Sequence, residues 1–204
     1  RKERFENGSI SFETEEIKFN LDEKGKPLNV FVKERKDSNK MIEDFMLLAN
    51  KKVAEFVYNR KKQPPKDTMV YRVHEAPDQD KLDQFASFAK RFGYNVNVYS
   101  DISKEINKLA EQTEGKIEHD VLQQLAIRSM SKAKYTTEPL EHFGLGFKHY
   151  SHFTSPIRRY PDMMAHRLIE RYLHGKNSAD VTEYEEKCKH ASDMERRAAN
   201  AERL

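Results

Sequence analysis

The spacing of apolar residues changes once, near Ser38, and that change sets what the chain can fold into. Before it, Ile10 and Phe12 alternate in "SISF", and Ile17, Phe19 and Leu21 alternate in "EIKFNL". After the turn "DEKGKP", Val30 and Val32 close a hairpin in "NVFVKE". Apolar residues at every second position point to strands, and Gly25 gives the turn its freedom for a positive φ. The opening 35 residues are therefore expected as strands. From Ser38 onward, Met41, Ile42, Phe45, Met46, Leu48, Val53, Phe56 and Val57 recur at the period of a helix. Their broad apolar face predicts a helix buried on most sides. Glu43 and Asp44 stand at its start, where acids commonly complement the helix dipole.

The remainder reads as mostly helical. A short strand, "MVYRVHE", follows the "QPP" break, and "DQDKLDQFASFAKRFG" is a helix with acids at its start and Gly93 at its stop. Two more helices are expected at about 101–113 and 118–134, then a loop in "TTEPLEHFGLGF". Thr182 and Glu185 in "TEYE" form a capping box for a last helix, whose pattern still runs at Leu204 and suggests a truncated chain. The expected fold is α/β in the α+β sense: a short mixed or antiparallel sheet with a helix-dominated second half. Residues 1–36 carry the strands and residues 37–204 the helices.

Composition excludes several classes. No apolar run approaches the roughly 20 residues of a membrane span, and Arg1 to Asn7 hold no signal-peptide core. One cysteine, Cys188, rules out an internal disulfide or a multi-cysteine zinc site and fits a cytoplasmic setting. A net charge of +3, from 37 basic and 34 acidic residues, leaves anion binding to local arrangement.

That arrangement is concentrated in "YSHFTSPIRRYPDMMAHRLI", residues 150–169. Ser155 is a good N-cap and Pro156 suits a first helical turn. Arg158 and Arg159 would then sit at a helix start, where basic side chains oppose the dipole and so serve another purpose. A phosphate held by the helix start and a guanidinium fork is one reading; pairing with acids elsewhere in the fold is the other. In the last helix, Cys188, Ala191, Glu195, Ala198 and Glu202 stack in one line, a narrow face whose carboxylates need donors, either arginines or ligand hydroxyls. Asp78, Asp80 and Asp83 read as helix capping and not as a metal site. No His-x-x-x-His pair with a nearby acid supports zinc. Cys188 reads as packing and not as a nucleophile.

Three blocks together, "GSISFETEEIKF", "MIEDFMLLAN" and "HFGLGFKHYSHFTSPIRRYPDMMAHR", resemble the catalytic domain of the ribonuclease II and ribonuclease R family. "YRVHEAPDQDKL" fits between them and "MERRAANAER" after them; the "GSISFETEE" wording is closer to bacterial ribonuclease R. The resemblance implies a processive, magnesium-dependent 3′→5′ exoribonuclease that releases nucleoside 5′-monophosphates from single-stranded RNA. It implies that Arg158 contacts the scissile phosphate, that Glu43 helps hold the 3′-terminal nucleotide, and that Glu202 accepts from a ribose hydroxyl. It implies that Phe12 stacks on a base near the 3′ end, with Ser155, Arg159 and Tyr160 flanking the catalytic arginine.

The family's catalytic acids form an aspartate cluster upstream of "GSISF", and no such cluster precedes it here because the sequence starts at Arg1. The family's OB-fold RNA-binding domains are absent as well. The chain is thus expected to be the C-terminal half of the catalytic domain, binding no magnesium through its own residues and inactive alone. It is expected to associate with the missing half, or with a second copy through exposed apolar surface. A non-catalytic RNA-binding or scaffold module is the alternative. A blander one is a helical interaction domain whose Arg and Glu residues pair internally.

Overall fold

The computed structural model describes residues 1–10, 17–34 and 36–202. Elements follow in the order α1 (Lys2–Glu6), β1 (Ile17–Leu21), β2 (Pro27–Val32), α2 (Asp37–Asn59), β3 (Tyr71–Val73), α3 (Gln79–Arg91), α4 (Ile102–Thr113), α5 (His119–Ser129), β4 (Lys134–Thr136), α6 (Tyr160–Leu173) and α7 (Val181–Ala201). The fold is α+β with small antiparallel sheets, as the change of period predicts. Among the described residues no helix is long and apolar enough to cross a membrane.

One apolar cluster joins α2, the β3 segment, β4, α6 and α7 through Ala54, Val57, Val70, Tyr71, Tyr135, Leu168 and Cys188. The other joins α3, α4 and α5 through Phe85, Ala89, Ile106, Leu109, Leu122 and Ala126, with Ile10 from the N-terminal segment. β3 and β4 pair antiparallel, Tyr71 opposite Thr136 and Val73 opposite Lys134. β4 is fastened on its other side to α7, where Ser192 Oγ accepts from Tyr135 N at 2.9 Å. Asp78, Asp101 and Asp180 cap α3, α4 and α7 by accepting the amides of Lys81, Lys104 and Glu183. Asp78 therefore does the capping read for it.

Several expectations are corrected. The first residues are not all strand: Lys2–Glu6 is helical, and Ile10 is buried in a non-strand segment. The hairpin forms with Ile17 opposite Val32, but both of its faces are exposed. α2 is not buried on most sides: Met41, Ile42, Phe45, Leu48 and Phe56 face outward, and only Asn50, Ala54 and Val57 are fully enclosed. It also starts earlier than expected, at Asp37, so Glu43 and Asp44 lie in its second turn. α5 stops at Ser129, because Met130 turns to an extended backbone that leads into β4. Thr182 and Glu185 do not form a capping box. Asp180 already takes the amide of Glu183, and Glu185 reaches instead to β4, accepting from Thr136 Oγ1 and from Thr137 N and Oγ1. The last helix closes at Ala201 with Glu202 as its C-cap.

Candidate nucleic-acid interface

The segment from Tyr150 to Tyr160 lies across β3 and is held by backbone and side-chain bonds along its length. Arg72 N donates to Tyr150 O at 2.9 Å, and Ser151 Oγ donates to Val70 O at 2.6 Å. The buried Asn50 of α2 then takes two successive amides on one oxygen, Phe153 N at 3.0 Å and Thr154 N at 3.2 Å. Its Nδ2 donates to the Tyr150 hydroxyl at 3.0 Å. A buried carboxamide with all its groups used is an expensive thing to misplace, so α2 and this segment are locked in register.

Ser155 does not start a helix. Residues 156–158 form a turn, in which the Ser155 carbonyl accepts the amides of Arg158 and Arg159. The helix begins only at Tyr160, with Pro161 in its first turn and Arg159 extended (φ −134°, ψ 116°) as its N-cap. The physical reason is Asp162: its carboxylate takes the Ser155 amide at 2.8 Å, which pulls the backbone away from a helical path. Arg159 turns onto the same carboxylate, Nη2 donating to Oδ1 at 2.9 Å and Nε standing 2.9 Å from Oδ2 as an ion pair. Arg158 points outward, and its contact among the described residues is a long one, 3.5 Å to Ser155 Oγ. The sequence's two readings of this arginine pair are thus divided between its members: one is internally paired, the other is exposed.

Around the turn lies a set of rings. The Tyr135 hydroxyl and His152 Nδ1 share a hydrogen bond at 2.8 Å, and Tyr150 packs edge-on against both His142 and His152. His166 stacks on Phe153 with centroids 4.0 Å apart and donates from Nε2 to its carbonyl at 2.8 Å. Burial pushes His152 down to about 3, helped by the charges of Arg159 and Arg72. Burial likewise pushes His142 down to about 3, helped by His74 and Arg72. Both rings are therefore neutral at neutral pH, and positive charge at the turn comes from guanidinium groups alone. Burial raises the Cys188 thiol to about 12, so it is inert as a nucleophile and serves packing.

The other sequence-predicted residues fall as follows. Glu43 lies seven residues before Asn50 on α2, hence on the same face and about 10 Å along the axis from the amide clamp. Its neighbour Asp44 pairs with Arg4 at 3.2 Å and Arg1 at 3.8 Å. Asp44, Arg1 and Arg4, with Met41, Phe45 and Phe147, line a cleft of about 650 Å³. Tyr160 is half exposed at the start of α6. Glu195, in the narrow line of α7, is taken by Arg72, with bonds of 2.6 and 3.1 Å, while that guanidinium stacks on Tyr135. Glu202 is exposed two turns further along, about 10 Å from Glu195. Phe12 lies outside the described residues. Ile10, two residues before it, is anchored by its amide to Gly144 O at 3.0 Å. Gly146, at φ +63°, lets that segment pass: a Cβ there would meet Asn7 O at 2.8 Å.

Sequence reasoning missed Asn50, Arg72 and Asp162. Asn50 did carry a signal, as a lone polar residue closing the apolar run "FMLLAN". Arg72 and Asp162 carried none, because their partners lie far off in sequence or across a turn. Among the described residues no group of three or more His, Cys, Asp or Glu gathers to hold a metal ion.

An α+β fold that fastens a turn on all sides and offers one guanidinium outward has the form of a phosphate-handling wall. Residues 1–175 match the model of the RNB domain, and the chain belongs to that family. It is 37% identical over 205 residues to ribonuclease R of Aquifex aeolicus, covering 98% of this chain and 28% of that protein. It is 38% identical over 203 residues to ribonuclease R 1 of Lactococcus lactis, covering 96% of this chain and 24% of that one. Its fold matches Mycoplasma genitalium RNase R, solved in complex with ribose methylated single-stranded RNA. The TM-score is 0.86 at 29% identity, over 99% of this chain and 32% of that one. The chain thus spans about a quarter to a third of the length of these relatives.

Proposed function

We propose that this chain is the C-terminal half of the catalytic domain of a 3′→5′ exoribonuclease, hydrolysing single-stranded RNA to nucleoside 5′-monophosphates. The observation that carries the reading is the fastened 155–159 turn with Arg158 exposed on it. In such a reaction water attacks the phosphorus of the last linkage. The bond to the preceding 3′ oxygen breaks, and negative charge grows on the phosphoryl oxygens. A guanidinium held in place before the reaction stabilises that charge without reorganising. Neutral His142 and His152 beside it add no competing charge.

Glu43 would hold the 3′-terminal nucleotide from α2, Glu202 would accept from a ribose hydroxyl, and Phe12 would stack on a base. Ser155 and Tyr160 complete the contact surface in this reading. The described residues do not fit the magnesium that the family implies, since they provide no cluster of acids for it. The acids for it belong to the rest of the protein, as do the OB-fold domains. A cytoplasmic setting belongs to the same reading, in keeping with a sequence that holds a single cysteine.

On its own the chain binds RNA and does not cut it. The test uses end-labelled single-stranded RNA with magnesium, adding the chain alone or mixed with the missing half of the domain. A shift in mobility without nucleotide release is expected from the chain alone, and release from the mixture. Arg158→Ala should lower that release about 100-fold or more. Release of nucleoside monophosphates by the chain alone overturns the claim that it is inactive. Binding with no activity in a mixture whose halves demonstrably associate favours a non-catalytic RNA-binding module.

A further inference from the structure

We propose that Asp162 is a positioning residue for Arg158, and that Arg159 serves as its strut and not as an RNA ligand. The inference rests on the reading of Arg158 given above and goes beyond it by dividing the arginine pair into two tasks.

Asp162 has no exposed surface at all, at 0%. A carboxylate in that position survives only if donors replace the water it lost. Its donors are the Ser155 amide and the Arg159 guanidinium. These two groups stand at opposite ends of the same short turn, with Pro156, Ile157 and Arg158 between them. One buried side chain therefore ties both ends, and the Ser155 carbonyl closes the turn from inside by accepting the amides of Arg158 and Arg159. The backbone of the turn is thereby fixed, and Ile157 and Arg158 project outward from it. The start of α6 adds its own preference for negative charge at this place.

Arg159 has its Nη2 and Nε turned inward onto that carboxylate, and its charge is offset there. A guanidinium so engaged has little left for a phosphate. Its neighbour carries the same charge and shows the reverse: an exposed side chain with one weak contact to Ser155 Oγ. The order of the residues makes this possible, because consecutive side chains in a turn cannot point the same way.

A merely structural aspartate and a positioning one predict different couplings. The experiment measures affinity for end-labelled single-stranded RNA by fluorescence anisotropy, using the chain, Arg158→Ala, Asp162→Asn and the double variant, with circular dichroism to confirm folding. Arg158→Ala should weaken binding roughly tenfold or more, the loss of one charge-assisted contact. Asp162→Asn should weaken binding by a similar or smaller factor. The double variant should bind no more weakly than Arg158→Ala alone, because a misplaced arginine and a missing one lose the same contact. Should Asp162→Asn fail to fold, Arg159→Lys takes its place, since it leaves the carboxylate charged and breaks only the fork. Losses that multiply in the double variant, or full affinity in Asp162→Asn, overturn this inference and leave the function of Arg158 standing. Full affinity in Arg158→Ala removes both.

Discussion

The hairpin and the segment around Tyr150–Tyr160 are both rich in large side chains, yet the chain treats them in opposite ways. In the second, buried polar side chains fasten the backbone: Asn50 takes two amides, Asp162 takes an amide and a guanidinium, and Tyr135 and His152 share a hydrogen bond. In the hairpin, Phe19 is 57% exposed and Leu28, Val30 and Val32 stand out with it; on α2, Phe45 is 63% exposed. The difference teaches that alternation and helical periodicity record which surfaces are fit for burial. They do not record whether the burying partner lies within the same chain. In the proposed whole protein the exposed faces meet the rest of the domain; alone, they favour a second copy.

The largest expected effect separates the two regions by pH. His142 and His152 are held near 3, against an ordinary value of 6.5. Between those values the unfolded chain binds protons that the folded chain refuses, so stability falls as pH drops below 6.5. At pH 5 the loss should be on the order of 2 kcal/mol for each ring, or about 4 kcal/mol together. Urea denaturation at pH 7 and pH 5 reads it directly, and His152→Phe should abolish about half. A pH-independent midpoint would mean the rings are solvated and the fastened region is looser than described.

Leu168→Ala, at a fully buried position of α6, should cost about 3 kcal/mol in the same assay. Asn50→Ala should cost about 2 kcal/mol, by leaving the amides of Phe153 and Thr154 without an acceptor. It should also weaken RNA binding, whereas Leu168→Ala should not. The smallest effect belongs to the exposed region. Phe19→Ser with Phe45→Ser should change stability by no more than about 0.5 kcal/mol. Sedimentation should nonetheless show less self-association than in the unaltered chain. A large stability loss there would show that the two faces are already buried in a contact within the chain.

Much of the fold was legible because its signals are local. The hairpin turn, the aspartate cap of α3 and the amphipathic α4 all depend on residues a few positions apart. The misreadings came from competition over distance. Ser155 has every local mark of an N-cap, but its carbonyl closes only a single turn, and the helix waits until Tyr160 behind an extended Arg159. Glu185 completes a capping box by spacing, but three donors at the end of β4 outbid it. Of the candidate site, the Arg158–Arg159 pair stood out in the sequence as one that needs an anion or an acid. The division of labour between them was not legible, since it depends on which of two adjacent side chains faces a buried acid.

The glycine at position 146 has a consequence for the order in which the molecule is assembled. It allows residues 7–9 to pass at van der Waals range, and the neighbouring Gly144 carbonyl receives the amide of Ile10. The anchor for Ile10 therefore lies far along the chain, beyond α3, α4 and α5. Contacts between such distant positions close slowly, because the loop entropy between them must be overcome first. Ile10 is thus set in place only once the "HFGLG" loop has been made. In that order of events, α3, α4 and α5 can pack together before Ile10 joins their cluster.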